Sequence, residues 1–184
     1  LVQGVIAPLY KGATSYLMPT VSFMRRPLSW LEGIAKYRVS HSGGPDTAYL
    51  SCVRALARRP NWTVDLGSWS LATSGGEPVR ADTVQAFLRA FAPHGFRSEA
   101  FAPAYGMAEA VLAVSLNCEE TPPRFLRLDS AALERNEVCE APGHAADAKT
   151  LVGCGAVLDG LDLRIVDAET GVERAPNRVG EIWV

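Results

Sequence analysis

Lysine is scarce in this sequence, occurring only at Lys11, Lys36 and Lys149. Few side chains are therefore available for chemistry that needs a lysine amine. An excess of one charge is also lacking, since 18 lysine and arginine residues are balanced by 20 aspartate and glutamate residues, with no block of either sign. This balance argues against binding to nucleic acid or to an anionic membrane surface.

Paired cysteines and long hydrophobic runs are lacking as well. Cys52, Cys118, Cys139 and Cys154 are widely spaced and match neither a zinc-binding pattern nor a redox pair. They are typical of free thiols in a reducing compartment, so we expect a cytoplasmic protein. The apolar stretch at residues 1–10 is too short to cross a bilayer and has no signal-peptide features, so we expect no transmembrane or targeting segment.

Apolar residues make up 48% of the 184 residues, which is enough to bury a sizeable core. The sequence begins without Met, inside an apolar pattern that reads as the end of a helix at residues 1–11. It stops at Val184 inside a strand-like run. We therefore expect the sequence to be an excerpt of a longer protein.

Strand-like and helix-like segments alternate through residues 14–116. The apolar pattern and the glycine and proline positions predict strands at Thr14–Met18, Val39–Ser42, Trp69–Thr73 and Ala100–Pro103. Helices are predicted after Pro27, at Asp46–Leu56, around the apolar stripe of Val84, Phe87, Leu88 and Phe91, and at Met107–Leu116. This alternation predicts an α/β fold with a mostly parallel sheet flanked by helices.

The pattern changes after Leu116. Residues 117–150 show no sustained period apart from a short helical stretch near Ser130–Arg135, and they are interpreted as an insertion or linker. Two further strands, Leu161–Asp167 and Val179–Val184, predict the start of a small antiparallel β subdomain at residues 151–184. The predicted division is therefore 1–116, 117–150 and 151–184.

Three glycine-containing segments follow predicted strands and precede predicted helices. In an open α/β sheet, ligands collect at this edge, where backbone amides and helix N-termini are exposed. Glycine allows the backbone to approach a flat ligand closely, although any one such segment could also be an ordinary turn. The segments are Ser42-Gly43-Gly44-Pro45, Ser74-Gly75-Gly76-Glu77-Pro78 and Ala104-Tyr105-Gly106.

Glu109 is the only charged residue between Phe101 and Leu116. A carboxylate in an apolar helix needs a partner or a proton, and a place in the first turn favours its negative charge. Its oxygens could hold Mg²⁺ shared with phosphates, but a surface or capping glutamate is an equally good reading. Tyr105 could stack on a nucleotide base or could be a core aromatic residue.

The segment Tyr105-Gly106-Met107-Ala108-Glu109 resembles the Tyr-Gly-x-Thr-Glu motif of the adenylate-forming superfamily, which includes acyl-CoA synthetases, luciferases and nonribosomal adenylation domains. Residues Gly180 to Val184 resemble the later Gly-Glu-Leu/Ile motif of the same superfamily. Ser74 to Pro78 looks like its adenine-contacting loop. Three motifs in this order over about 110 residues are a strong resemblance.

Within the superfamily the sequence is most similar to fatty acyl-AMP ligases. The segments with direct counterparts there are Pro27, Trp30-Leu31, Tyr37-Arg38, Ser42 to Pro45 and Gly76 to Arg80. Ala108 departs from the superfamily's Thr but suits this branch, whose motif reads Tyr-Gly-Leu-Ala-Glu-Ala. Residues 117–150 lie where the branch has an insertion thought to disfavour coenzyme A.

The resemblance implies a fatty acid, ATP and Mg²⁺ as substrates and cofactors, with an acyl carrier protein as the acyl acceptor. It implies coenzyme A as the acceptor if the protein is an ordinary acyl-CoA synthetase. Glu109 would hold Mg²⁺, and Tyr105 would stack on the adenine. The rest of the nucleotide wall would be Ser74, Gly75, Gly76, Glu77, Pro78, Ala104, Gly106, Met107 and Ala108, and the acyl tunnel would be bordered by Ser42, Gly43, Gly44, Pro45, Ala48 and Tyr49.

Other parts of the family's site are expected outside these residues. The resemblance places the phosphate loop before Leu1, the ribose-binding aspartate after Val184 and the catalytic lysine in a C-terminal domain. We therefore expect the 184 residues alone to be inactive. A degenerate, non-catalytic binding module is the remaining alternative, and it would lack one of those flanking motifs.

Overall fold

A computed structural model describes residues 2–117, 121–143 and 145–184. The chain begins with a π-helical turn, Val2–Ile6, that continues into helix α1, Ala7–Tyr10, and stops at Gly12 with a φ of +65°. Helices α2, Thr20–Arg25, and α3, Leu28–Tyr37, follow, and Pro27 precedes α3 as predicted.

The predicted strand at Thr14–Met18 is wrong. These residues have no regular secondary structure and leave Tyr16 and Leu17 exposed by 54% and 73%. A short apolar run becomes a strand only where a neighbouring strand can pair with its backbone. Here Tyr16 instead stacks on Tyr37 of α3, with ring centroids 4.1 Å apart.

The centre of the fold is a five-stranded sheet in the order β1-β2-β3-β4-β7. Strands β1 (His41–Gly44), β2 (Leu71–Ser74) and β3 (Phe101–Gly106) are parallel, and they alternate with helices α4 (Asp46–Leu56) and α5 (Ala81–Phe91). Strands β4 (Ala113–Leu116) and β7 (Ala156–Val157) are antiparallel to their neighbours. The predicted α/β class with flanking helices is confirmed, and the sheet is mixed.

The predicted helix at Met107–Leu116 is also wrong. A single 3₁₀ turn, Ala108–Ala110, ends β3, and the chain then returns as β4 beside β3. A short apolar run has no periodicity that separates a helix from a buried strand. The exposed edge of β3 decides the outcome, because pairing along it satisfies the backbone groups of β4.

Aromatic side chains form the core between the sheet and its helices. Trp69, Tyr49, Phe87, Phe91 and Phe101 are all fully buried or nearly so. Two of the six ring pairs meet edge to face, three are tilted and one is stacked, with centroids 4.4 to 6.2 Å apart. Three members of the predicted α5 stripe are fully buried, and Leu88 packs at the edge of the core. This core fixes where the carboxyl ends of β1, β2 and β3 lie.

The predicted insertion contains ordered elements within its described part. Strands β5 (Phe125–Asp129) and β6 (Ala148–Val152) pair antiparallel, and α6 (Ser130–Glu134) follows β5 where a short helix is predicted. Phe125 and Val152 pack against the main core. The boundary predicted between residues 150 and 151 falls inside β6, and the division into domains stays a prediction.

Strands β8 (Arg164–Val166) and β9 (Glu181–Trp183) form an antiparallel pair, confirming the predicted β element with shorter strands. Asp167 ends β8 and stabilises the turn, because its carboxylate accepts hydrogen bonds from the Glu169 and Thr170 amides at 2.9 and 3.0 Å. Among the described residues, no helix is long and apolar enough to cross a membrane.

Candidate active site

The carboxyl ends of the three parallel strands lie side by side. Gly44 of β1 is in register with Ser74 of β2, and Ser74 is in register with Pro103 of β3. All three predicted segments therefore meet at one edge of the sheet. Such an edge exposes backbone groups that a ligand can use.

The first and third segments lie in strands and not in loops, contrary to the prediction. Ala104, Tyr105 and Gly106 are the last three residues of β3. Ser42, Gly43 and Gly44 are the last three residues of β1. A Cβ atom on Gly43 would overlap the side chain and carbonyl oxygen of Thr73 in β2. The glycine is therefore needed for close packing between the two strands, and only Pro45 lies beyond the strand end.

The second and third segments contact each other. A Cβ atom on Gly75 would lie 2.9 Å from the carbonyl oxygen of Ala104, closer than packed atoms approach. Gly76 has a φ of +80°, which favours glycine. We call the surface formed by Gly75, Gly76, Ala104, Tyr105 and Gly106 the glycine wall. Its glycines offer a flat ligand a backbone surface, and the Tyr105 side chain, which is half-buried, lies beside them.

Glu109 lies at the tip of the β3–β4 connection and is exposed. Two parts of the prediction are corrected: no α-helix follows Glu109 to supply a dipole, and its carboxylate bears no cost of burial in an apolar helix. Within the described ranges, no three His, Cys, Asp or Glu side chains form a metal-binding group. The structure thus offers one exposed carboxylate, which can complete the shell of a Mg²⁺ ion held mainly by phosphates and water.

An apolar cleft of about 470 Å³ opens beside the end of β1. Its floor includes Gly43, Gly44, Pro45 and Ala48, all predicted to border an acyl tunnel. The remaining lining residues are Met18, Thr20, Phe23, Met24, Trp30, Thr47 and Ser51. Absence of a side chain on Gly44 leaves room along the cleft, because a Cβ atom there would lie 3.3 Å from that of Ala48.

Two residues predicted to border the tunnel do not line the cleft. Ser42 accepts a hydrogen bond from the Trp30 indole N–H at 2.9 Å and so helps to hold Trp30, which lines the cleft. Tyr49 is fully buried, and its hydroxyl donates to the Thr73 carbonyl at 2.8 Å. Consecutive residues on a helix point about 100° apart, so Ala48 can face the cleft while Tyr49 enters the core.

Met18, Phe23, Met24 and Trp30 are cleft residues that the sequence did not predict. Met24 is 73% exposed on α2, although its side chain is apolar. Methionine is flexible and is frequent on surfaces that adapt to apolar ligands. An exposed methionine near an aromatic residue on a short helix is a weak signal that could have suggested a binding surface.

Two acidic side chains form hydrogen bonds between the start of α4 and the start of α5. Asp46, the first residue of α4, is 2% exposed and accepts hydrogen bonds from the Arg80 amide and the Thr83 hydroxyl, both at 2.9 Å. Glu77, before α5, accepts from the Thr47 amide of α4 at 2.6 Å. This amide holds the pKa of Glu77 below its usual value.

The fold is that of an adenylate-forming domain, as comparison with known proteins shows. The family model described as AMP-binding enzyme matches residues 1–184, so the chain belongs to the AMP-binding enzyme family. This finding confirms the superfamily resemblance.

Two curated relatives share the whole length of the chain. A medium-chain fatty-acid–acyl-carrier-protein ligase, JamA, of Moorena producens is 42% identical over 186 residues, covering 100% of this chain and 31% of that protein. A second ligase described in the same words, TtuA of Teredinibacter turnerae, is 39% identical over 184 residues and is covered to 28% of its length. The chain therefore spans about a third of the length of these relatives.

A solved structure is similar throughout the chain. A fatty acyl-adenylate ligase from L. pneumophila, crystallised with acyl adenylate and pyrophosphate, superposes with a TM-score of 0.93 at 36% identity. The match covers 100% of this chain and 32% of that one. Within the superfamily, the similarity is to the fatty acyl-AMP ligase branch, which Ala108 suggested.

Proposed function

We propose that the protein containing these 184 residues activates a fatty acid with ATP, releasing pyrophosphate, and passes the acyl group to an acyl carrier protein. One observation carries the proposal: the apolar cleft lies beside the carboxyl end of β1, and the glycine wall lies at the same edge of the sheet, on the neighbouring strands β2 and β3. A fatty acid in the cleft could thus present its carboxylate to a nucleotide on the wall.

In the proposed reaction, a fatty acid carboxylate oxygen bonds to the α-phosphorus of ATP. The bond from that phosphorus to the bridging oxygen of pyrophosphate breaks, and pyrophosphate leaves with its electron pair. No residue needs to form a covalent bond. The protein's contribution is to hold the two reactants in line and to neutralise charge.

The nucleotide would bind on the glycine wall. The exposed position of Gly76 supports this role, because nothing lies within 4 Å of where its side chain would be and its backbone could approach a purine. Tyr105 would stack on the adenine, and Met107 and Ala108 would extend the wall toward Glu109. Gly76 and Pro78 would border it from the β2 side, whereas Ser74 is fully buried and the Glu77 carboxylate faces Thr47 of α4.

Glu109 would hold Mg²⁺ together with oxygens of the triphosphate. Its exposed carboxylate on the β3–β4 connection is free to accept such an ion. The metal would supply charge neutralisation at the phosphates during pyrophosphate departure. Glu109 itself would contribute by fixing the position of the Mg²⁺ ion relative to the phosphates.

The fatty acid would enter the apolar cleft. Gly43, Gly44, Pro45 and Ala48 would form one side, while Phe23 and Met24 of α2 would form part of the other. An alkyl chain gains about 0.8 kcal/mol for each buried methylene group, so a lining of this kind favours longer chains. Ser42 and Tyr49 would not touch the fatty acid. Ser42 would hold Trp30 in place, and Tyr49 would hold β2 through the Thr73 carbonyl.

The complete protein should be incubated with decanoate, ATP and Mg²⁺, then with either a phosphopantetheinylated carrier protein or coenzyme A. Mass spectrometry should show decanoyl-AMP first and acyl carrier protein thioester second, with little acyl-CoA. Acyl-CoA as the main product would identify an acyl-CoA synthetase. Absence of decanoyl-AMP, with other chain lengths also tested, would support a non-catalytic module.

A further inference from the structure

Neither α4 nor α5 has a side-chain cap of its own. Their N-cap residues are Pro45 and Arg80, and neither accepts a hydrogen bond from its own helix through its side chain. The first amides of a helix have no partner within that helix. Both helices nevertheless begin at the edge of the sheet where the candidate site lies, so their first turns must be held by other groups.

The start of each helix is held by a carboxylate from the segment that leads into or begins the other. Glu77 follows the glycine wall residues Gly75 and Gly76, and its carboxylate accepts from the Thr47 amide in the first turn of α4. Asp46 follows the cleft residue Pro45, and its carboxylate accepts from the amide of Arg80, the residue before α5, and from the Thr83 hydroxyl in the first turn of α5. Each contact therefore links a residue next to one half of the site to a residue next to the other half, the two halves being the apolar cleft and the glycine wall.

The partners of Glu77 belong to the apolar cleft. Thr47 lines the cleft and stands between Pro45 and Ala48, which line it as well. Loss of the Glu77 contact would leave the Thr47 amide without its acceptor and let the first turn of α4 shift. A change made on the wall side would therefore alter the shape of the cleft.

The partners of Asp46 belong to the wall side. Arg80 and Thr83 lie just after the Ser74–Pro78 segment and fix where α5 begins. The Asp46 carboxylate is buried, so both of its hydrogen bonds are protected from water. Losing them would release the end of the segment that carries Gly75 and Gly76.

We propose that Asp46 and Glu77 are positioning residues that couple the two halves of the site, with Glu77 setting affinity for the fatty acid and Asp46 setting affinity for ATP. The inference rests on the proposed function, because it assumes a fatty acid in the apolar cleft and ATP on the glycine wall. It differs from the role that resemblance implies for Glu77, which is direct contact with adenine.

The test measures each ligand alone, by isothermal titration of the complete protein. Decanoate is titrated without nucleotide, and α,β-methylene-ATP with Mg²⁺ is titrated without fatty acid. We expect Glu77→Ala to weaken decanoate binding about fivefold, which is the factor that results if the typical stability lost with a helix cap is carried over in full to the cleft. Glu77→Gln should stay within about twofold, because its amide oxygen still accepts from the Thr47 amide.

The mirrored experiment concerns Asp46. We expect Asp46→Ala to weaken binding of α,β-methylene-ATP about fivefold in the absence of fatty acid. Asp46→Asn should restore binding, because the amide can accept from the Arg80 amide and donate to the Thr83 hydroxyl. If Asp46→Ala does not give a cooperative melting transition, Thr83→Val removes one of the two contacts and carries the same expectation.

Glu99→Ala is the matched control, since Glu99 is an exposed carboxylate whose side chain, among the described residues, bonds only to the adjacent Ser98 hydroxyl and to its own backbone amide. It should leave both affinities unchanged. Unchanged decanoate binding in Glu77→Ala, even with weakened nucleotide binding, would overturn the coupling and favour direct contact with adenine. A complete protein that binds neither ligand would overturn the proposed function and the coupling together.

Discussion

Glu109 is placed so that its carboxylate can be removed without loss of packing. The side chain is exposed on a 3₁₀ turn, so Glu109→Ala should leave the melting temperature of the complete protein nearly unchanged. Acyl-adenylate formation should fall by about 10²-fold or more, as for other groups that stabilise developing charge. The measurement is fatty-acid-dependent pyrophosphate release, with Glu99→Ala as control. Near-normal release would remove Glu109 from the metal site.

Gly75 tests the nucleotide side of the site. A Cβ atom there would lie 2.9 Å from the Ala104 carbonyl oxygen, so Gly75→Ala should push the segment away from β3. We expect a higher KM for ATP and a smaller change in the KM for the fatty acid. Gly143→Ala is the control, because Gly143 has open space around its Cα and no positive φ. Equal rises in both KM values would show that Gly75 serves the fold and not the nucleotide.

At the level of elements, the β3–β4 connection contains a strained turn. Val111 has a φ of +68° and a ψ of −49°, and the Leu112 amide donates to the Ala110 carbonyl at 2.8 Å, which makes a γ-turn. A β-branched residue in this conformation costs roughly 1–3 kcal/mol. Val111→Gly should therefore raise the melting temperature of the complete protein, whereas Val172→Gly, at another exposed valine, should not. A lower melting temperature for Val111→Gly would contradict the strain.

The contact between Glu77 and α4 gives a defined pH dependence. The folded-state pKa of Glu77 is lowered, first by the Thr47 amide, from an unperturbed value of 4.5. Its stabilising effect is therefore complete above that unfolded-state value and is lost as pH falls through the lower folded-state pKa. The difference in melting temperature between the unmutated protein and Glu77→Gln should be constant near neutral pH and shrink below pH 4.5. A difference that grows on acidification would contradict this assignment.

At the scale of the whole molecule, we expect the 184 residues in isolation to be inactive in fatty acid adenylation. They span about a third of the length of the relatives they match, and the candidate metal site contributes a negative charge to a triphosphate that is itself negative. The phosphates also need positive groups, and the resemblance places the phosphate loop and the catalytic lysine outside these residues. The isolated chain should therefore not support fatty-acid-dependent ATP–pyrophosphate exchange at the rate of the complete protein. Exchange at that rate would overturn the expectation.

Much of the fold could be predicted from local pattern. The apolar stripe of α5 is buried as expected, and Pro27 marks the start of α3. These predictions succeed because helical periodicity and proline positions reflect constraints within a few residues. Thr14–Met18 and Met107–Leu116 failed for the opposite reason: whether an apolar run becomes a strand depends on whether the edge of another strand lies beside it, which the run itself does not show.

The candidate site divides in the same way. The three glycine-containing segments and Glu109 are visible in the sequence because glycine after a strand and an isolated charge are local signals, and motif order extends them to a family. The cleft residues Met18, Phe23 and Trp30 are not visible, since they reach β1 only through packing of α2 and α3.

The sequence by itself determined the α/β class, the family resemblance and the residues that meet at one edge of the sheet. Hydrophobic periodicity and glycine positions suffice for these, because they act over short stretches of chain. Only the tertiary structure decided that Glu109 is exposed on a turn, that Tyr49 supports β2 from the core, and that carboxylates cross between two helices. Asp46 meets Thr83 37 residues away, and no local pattern predicts a hydrogen bond over that separation.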